Sequence, residues 1–271
     1  MFPKLAKAFT VLDSAYPIRL TSPIDSTADV LVEEYAELSF EGIPEFSHWI
    51  SRVAVGDKIV GFVDYDDCVE HPDARLAELL LPISLSDIIQ ANVPLIDAPS
   101  LLTDRIQVII IQQGNHPTHF LNFLVLLDSL PLKLLLLALV MELEHLLRRH
   151  FRDVPEVTLR SLLSSRRVDN IAATFEHEKE RQSKQPSPFR GMGHLRMIEL
   201  ASFGDLLAMA QSDSLVGQYL LPGDSSNPTQ MLPMLRNRLA HSLRIWDIFN
   251  NPTDLSSVLT HLQLMNNTSD W

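Results

Sequence analysis

A chain of 271 residues with 46% hydrophobic and 21% charged residues has the composition of a folded globular protein, which excludes a disordered polypeptide. Its length exceeds the usual single domain, so two domains of roughly 130 residues each are expected. The formal net charge of −12 is confined to one half: residues 1–129 hold 7 Lys/Arg against 19 Asp/Glu, whereas residues 130–271 hold 15 of each. An acidic surface repels phosphate backbones, so any nucleic-acid contact is expected on the neutral second half. Arg148, Arg149, Arg152, Arg160, Arg166 and Arg167 are available there, although exposed arginines most often form a solvated helix face.

Cys68 is the only cysteine. A lone cysteine excludes an intramolecular disulfide and a thiolate metal cluster, and it fits a reducing cytosol. The segment Met1-Phe2-Pro3-Lys4-Leu5-Ala6-Lys7 has no apolar run of signal-peptide length, so a cytoplasmic protein is expected. The run from Leu130 to Met141 is too short for the roughly 20 residues of a spanning helix, and Lys133, Glu142 and Glu144 interrupt or close it. No membrane association is expected. A helix this apolar predicts burial on most sides, within one subunit or between two.

In chain order, the pattern predicts a short helix from Lys4 to Asp13 and an extended approach to about Thr21, punctuated by Ser22-Pro23. Val30, Leu31, Tyr35 and Leu38 follow helical spacing from Asp29 to Leu38, with Ser26 or Thr27 as cap and Gly42-Ile43-Pro44 beyond the end. Trp49–Val55 and Ile59–Asp64 read as two strands around the turn Gly56-Asp57-Lys58. The order then repeats. A helix is expected from Ile83 to Asn92, followed by a strand from Arg105 to Gln112, a turn from Gln113 to Pro117, and a strand from Phe120 to Leu127.

On these residues the first half resembles a pair of CBS domains, the small α/β modules that often sense adenosyl ligands. The resemblance spans roughly residues 17–130. Its carrying stretch is Val53-Ala54-Val55-Gly56-Asp57-Lys58-Ile59-Val60-Gly61-Phe62-Val63-Asp64-Tyr65-Asp66-Asp67, in which Gly61 and Asp67 match the family pattern. Asp64 stands where the family's hydroxyl would touch ribose or phosphate, and a carboxylate there would repel phosphate. In the second copy Asn122 is aligned with the glycine, Val125 with the hydroxyl and Asp128 with the aspartate. An adenosyl-type ligand is the partner the resemblance implies, although the damaged pattern favours a structural or dimerising role.

From Pro131 onward helical periodicity takes over, with helices expected at 132–151, 156–165, 168–182, 195–211, 214–220, 230–249 and 255–265. Breaker-rich loops fall at Ser183–Pro188 and Leu221–Pro228. This is the pattern of a helical bundle. Within it, Arg236-Asn237-Arg238-Leu239-Ala240-His241 places Asn237 and His241 four apart on one face, with Arg236 at its edge. An imidazole moves protons near neutral pH, and a guanidinium holds phosphate oxygens. Together they suit phosphodiester transfer without a metal.

This hexapeptide, late in an all-α domain, resembles the HEPN family, marked by an arginine, an adjacent polar residue and a histidine a few positions on. Arg236, Asn237 and His241 occupy those positions, and Met141–Arg149 resembles the acidic, then arginine-bearing, opening helix of many members. The resemblance implies a homodimer with the two motifs facing each other and, in many members, metal-independent cleavage of single-stranded RNA in stress or defence; other members only bind or scaffold. The expected fold class is therefore α+β, with tandem CBS-like α/β modules over residues 1–129 and an all-α HEPN-like bundle over residues 130–271. The expected catalytic residues are Arg236, Asn237 and His241, with no cofactor and no metal. The alternative is a non-catalytic dimeric interaction or ligand-sensing protein.

Other motifs are weaker. Glu142-x-x-His145 has the spacing of a di-iron ligand pair but lacks a second such pair. His116-Pro117-Thr118-His119 reads as a solvated turn, and Glu176–Arg181 as a charged helix face. Neither a phosphate-binding Gly-x-x-x-x-Gly-Lys loop nor a Gly-x-Ser-x-Gly elbow occurs, which disfavours a nucleotide-hydrolysing motor or a serine hydrolase.

Overall fold

The computed structural model describes residues 8–38, 49–81, 83, 87–102, 108–184, 197–213, 216, 228–241 and 245–267. The chain divides into two compact units, Pro3–Leu135 with Ile245–Ser256, and Leu136–Arg244 with Ser257–Trp271.

The first unit is a duplication. After a short helix α1 (Val11–Ser14) and a two-residue strand β1 (Tyr16–Pro17), the first copy runs β2 (Thr21–Pro23), α2 (Ala28–Leu38), β3 (Ile50–Val55), β4 (Lys58–Asp64) and α3 (Tyr65–Glu70). The second runs β5 (Ile88–Gln90), α4 (Ala98–Leu101), β6 (Val108–Gln113), β7 (His116–Asn122) and α5 (Phe123–Asp128). In each, the leading strand pairs parallel to the next, Ser22 opposite Val53 and Ile89 opposite Ile111. Each second strand then turns back antiparallel, and each ladder slips by one position, at Val53/Ala54 and at Ile111/Gln112. Gly56 and Gly114 make the two hairpin turns at φ 60° and 63°, a left-handed conformation that glycine adopts without the clash a Cβ would bring. β1 joins the second sheet against β7.

Several expectations are corrected in this unit. Ile88–Gln90 is a strand where a helix was expected over Ile83–Asn92, because Ile88 and Ile89 pair with Ile110 and Ile111 and β-branched residues suit that pleated surface. The second hairpin turn is only Gly114-Asn115; His116 and Pro117 already belong to β7. The expected strand Phe120–Leu127 ends at Asn122, whose side-chain oxygen accepts from the Val125 N–H at 2.8 Å and starts α5. Ser22 and Pro23, expected to interrupt the chain, are strand residues of β2. Of the expected Lys4–Asp13 helix, Val11–Asp13 is helical within α1, whereas residues 8–10 are not, Thr10 bridging to Pro94; Gly42-Ile43-Pro44 lies outside the described residues.

Ala28, Leu31, Tyr35, Val53, Val63, Cys68 and Leu76 form the buried core of the first copy. The Tyr35 hydroxyl donates to the Ile50 carbonyl and accepts from the Ser51 hydroxyl, and burial pushes its pKa up to about 12. Burial, with Asp64 and Asp67 nearby, likewise pushes the Cys68 thiol up to about 11, which leaves it a packing residue rather than a nucleophile. The copies are joined through Trp49, which packs edge-on against Phe120, and through Arg52, which donates to the Ile18 and Pro117 carbonyls.

Among its described residues the second unit has no strand. Helix α6 (Leu130–Phe151) crosses the division between units and buries Leu132, Leu136, Leu139, Leu143, Leu147 and Phe151 along one face. Its other face stays open, with Leu130, Leu134 and Met141 exposed by 65, 45 and 58%. Within the run Leu130–Met141 these three are the exposed residues and the rest are buried or partly buried, so the burial expected on most sides leaves one open stripe. α7 (Glu156–Ser161) and α8 (Ser165–Ser183) follow. The helix expected over 195–211 is two, α9 (Met197–Leu200) and α10 (Phe203–Ser212), because Ser202 and Asp205 form a reciprocal capping box that restarts the chain. The helix expected over 230–249 stops early, as α11 (Pro228–Ala240). α12 (Pro252–Asn267) closes the chain and donates from Asn266 to the Leu139 carbonyl. The expected 214–220 helix and the loops Ser183–Pro188 and Leu221–Pro228 fall largely outside the described residues.

Candidate functional site

α11 carries Arg236 and Asn237, and His241 extends its last turn, its N–H donating to the carbonyls of Asn237 and Arg238. A helix turns roughly 100° per residue, so Arg236 and Ala240 share one face while Asn237 and His241 share the next. The Arg236 face borders a groove of about 450 Å³ whose opposite wall is α6, contributing Leu137, Met141, Glu144, His145 and Arg148. Asn237 and His241 are exposed and do not line this groove. Of the three residues expected at the site, one chain therefore brings only Arg236 into the groove.

Glu144 organises the charges. One of its oxygens accepts from Arg148 at 2.7 Å, and the other lies 3.6 Å from Arg236 Nε. Arg148 is spent on structure: it also donates to the carbonyls of Ile198, Glu199 and Ala201, which the short helix α9 leaves open at its end. Arg236 is different. Its side chain is 41% exposed, and its terminal nitrogens make no hydrogen bond among the described residues. The lining thus holds two guanidiniums against one carboxylate, and the less engaged guanidinium faces solvent, an arrangement able to receive a phosphate oxygen.

His145 is the residue that sequence reasoning placed elsewhere, as half of a Glu142-x-x-His145 pair. It is exposed on the groove wall, while Glu142 is not part of the lining. The available signal was the spacing of Met141, Glu144, His145 and Arg148, one face of a helix at i, i+3, i+4 and i+7. Of the remaining arginines, Arg160 pairs with Glu156 and Arg167 with Asp205, both ordinary surface ion pairs. His116 and His119 lie on β7, opposite Gln113 and Ile111 across the slipped ladder. Among the described residues no group of three or more His, Cys, Asp or Glu is placed to hold a metal ion.

The first unit has a cleft of its own, about 490 Å³, between the starts of its two hairpins. Lys58 and Ile59 line it from one copy, His116 and Pro117 from the other, over a floor that includes Phe62, Leu81 and Ile88. A Cβ at Gly61 would come within 2.7 Å of Leu80 Cδ2, the far end of a side chain that would have to shift. The Asp64 carboxylate is directed to capping, accepting from the Asp66 N–H at 2.9 Å. Matching the copies on Gly56 and Gly114 sets Asp64 against Asn122 and Gly61 against His119. Asp64 and Asn122 are indeed both helix caps. Asn122 was expected at the glycine position, so that alignment of the second copy is corrected by three residues.

No family model matches the sequence, and no curated protein matches it. Solved structures are similar to part of it. The CBS domain of a bacterial CNNM/CorC-family Mg2+ transporter, in complex with ATP, is 15% identical and aligns with 48% of this chain and 92% of its own, with a TM-score of 0.36. The cystathionine beta-synthase pair domain of a candidate Mg2+ transporter from Shewanella oneidensis MR-1 is 18% identical over 38% of this chain and 58% of its own, with a TM-score of 0.28. No helix among the described residues is long and apolar enough to cross a membrane. The chain is a mixed α/β region of two small sheets followed by a mostly helical one.

Proposed function

We propose that the helical unit is a HEPN-type, metal-independent endoribonuclease that acts as a homodimer on single-stranded RNA, in stress or defence, with the CBS-like unit as its regulatory half. The observation that carries this reading is Arg236, a partly exposed guanidinium on the wall of an open groove, with His241 exposed one turn further along the chain. Arg236 would hold the non-bridging oxygens of the scissile phosphate and stabilise the charge that grows on them. His241 would move a proton between the RNA's 2′-hydroxyl chemistry and solvent. Asn237, on the same face as His241, would orient it or the phosphate.

Homodimerisation fits two features. Within one chain Arg236 and His241 face different directions, so a second copy would be needed to close a site around both. The open face of α6, with Leu134 and Met141, offers apolar surface for that contact. The test is incubation of the full chain with single-stranded RNA in chelator. Wild type is expected to leave 2′,3′-cyclic phosphate and 5′-hydroxyl ends, and His241→Ala to leave the RNA intact. Equal cleavage by both would exclude this site.

A non-catalytic ligand sensor is the second reading, favoured by the cleft between the hairpins, where Lys58 and His116 flank an apolar floor as an adenosyl-type ligand would need. Calorimetry of the full chain with adenine nucleotides checks it. Binding that Lys58→Ala weakens would support it; absence of heat would not.

A further inference from the structure

We propose that His145 is a further catalytic residue of the groove, carrying one of the two proton transfers of RNA cleavage. This rests on the ribonuclease reading. Transesterification forms a bond between the 2′ oxygen and phosphorus and breaks the bond from phosphorus to the 5′ oxygen. A proton must leave the 2′-hydroxyl and another must reach the departing 5′ oxygen, so two proton carriers are required. The ribonuclease reading assigns one to His241, which reaches the groove only where a second copy brings it there. Among the groove's lining residues His145 is the one imidazole, a group able both to accept and to donate a proton, and it is not tied up: Glu144 is engaged by Arg148 and lies beside Arg236, and a guanidinium is a poor proton carrier.

Geometry supports the assignment. His145 stands on α6 and Arg236 on α11, and both line the groove in which a phosphate held by Arg236 would sit. It follows Glu144 directly in sequence, so the residue that sets the two guanidiniums adjoins the one that would move the proton. It is exposed and makes no hydrogen bond or ion pair among the described residues, so no structural contact accounts for its place there.

The experiment measures cleavage and binding of single-stranded RNA by wild type, His145→Ala, His145→Gln and the control His177→Ala, an exposed histidine on α8. His145→Ala and His145→Gln are expected to cut about 10²–10⁴-fold more slowly with RNA affinity and thermal unfolding unchanged. The bell-shaped pH profile should lose one limb, and added imidazole should partly restore His145→Ala. His177→Ala should behave as wild type. Wild-type rate and both limbs in His145→Ala, with His241→Ala dead, would overturn this inference alone. A wild type that cuts no RNA would overturn the ribonuclease reading and this inference with it.

Discussion

The two clefts are nearly equal in size, about 490 Å³ and 450 Å³, and are built in opposite ways. In the first unit the cleft is a product of duplication: the same hairpin, with the same left-handed glycine and the same ladder slip, is made twice and the space between the copies follows. In the helical unit it comes from single side chains on two helices distant in sequence, held by one carboxylate. The first is a shape robust to changes in its side chains. The second is a chemical arrangement that one substitution would dismantle.

The largest effects should come from the cores beneath the clefts. Phe120→Ala, on β7, should cost about 3–5 kcal/mol, and Leu143→Ala, on the buried face of α6, about 2–5 kcal/mol, read by denaturant unfolding. Two separate transitions, each moved by only one variant, would mark the units as independent; a single shared transition would break the comparison. Next comes Arg236→Ala, expected to slow RNA cleavage by about 10²–10³-fold while leaving the melting temperature nearly unchanged. Slowed cleavage with a matching loss of stability would assign Arg236 to structure.

Smaller effects test the duplication. Asp64→Ala and Asn122→Ala each remove a helix cap and should each cost about 0.5–2 kcal/mol, and a large imbalance would separate the copies. Gly56→Ala and Gly114→Ala should each cost about 1 kcal/mol from the left-handed turn alone, since neither site has an atom within 4 Å of an added Cβ. The smallest effect is in pH. His261 on α12 is buried, its Nε2 has no hydrogen-bond partner among the described residues, and burial lowers its pKa below 6.5. The unfolded chain then binds the proton more readily, so stability should fall as pH drops below 6.5 and level off below the folded pKa. His261→Gln should remove that component of the slope.

How much of this was legible depends on range. The first hairpin was, because strand, glycine turn and strand are contiguous. The second was only half legible: an apolar run such as Ile88-Ile89 suits helix or strand equally, and its partners Ile110 and Ile111 lie beyond an intervening helix. Asn122 could have been recognised as a cap, but the apolar residues after it looked like strand. At the site, the Arg236 to His241 spacing was visible because it lies on one helix. The link from Arg236 to Glu144 was not, since it joins two helices whose packing no local pattern encodes. The shared helix face of Met141, Glu144, His145 and Arg148 was visible, but not that it lines a groove with Arg236.

The central claim is that the helical unit uses the RNA's own 2′-hydroxyl as nucleophile. The direct measurement compares an all-ribose strand with the same sequence carrying 2′-deoxyribose throughout, both in excess chelator with the full chain. The account predicts that the ribose strand is cut to cyclic-phosphate ends and the deoxy strand is not cut at all. Equal cutting of both strands would contradict it.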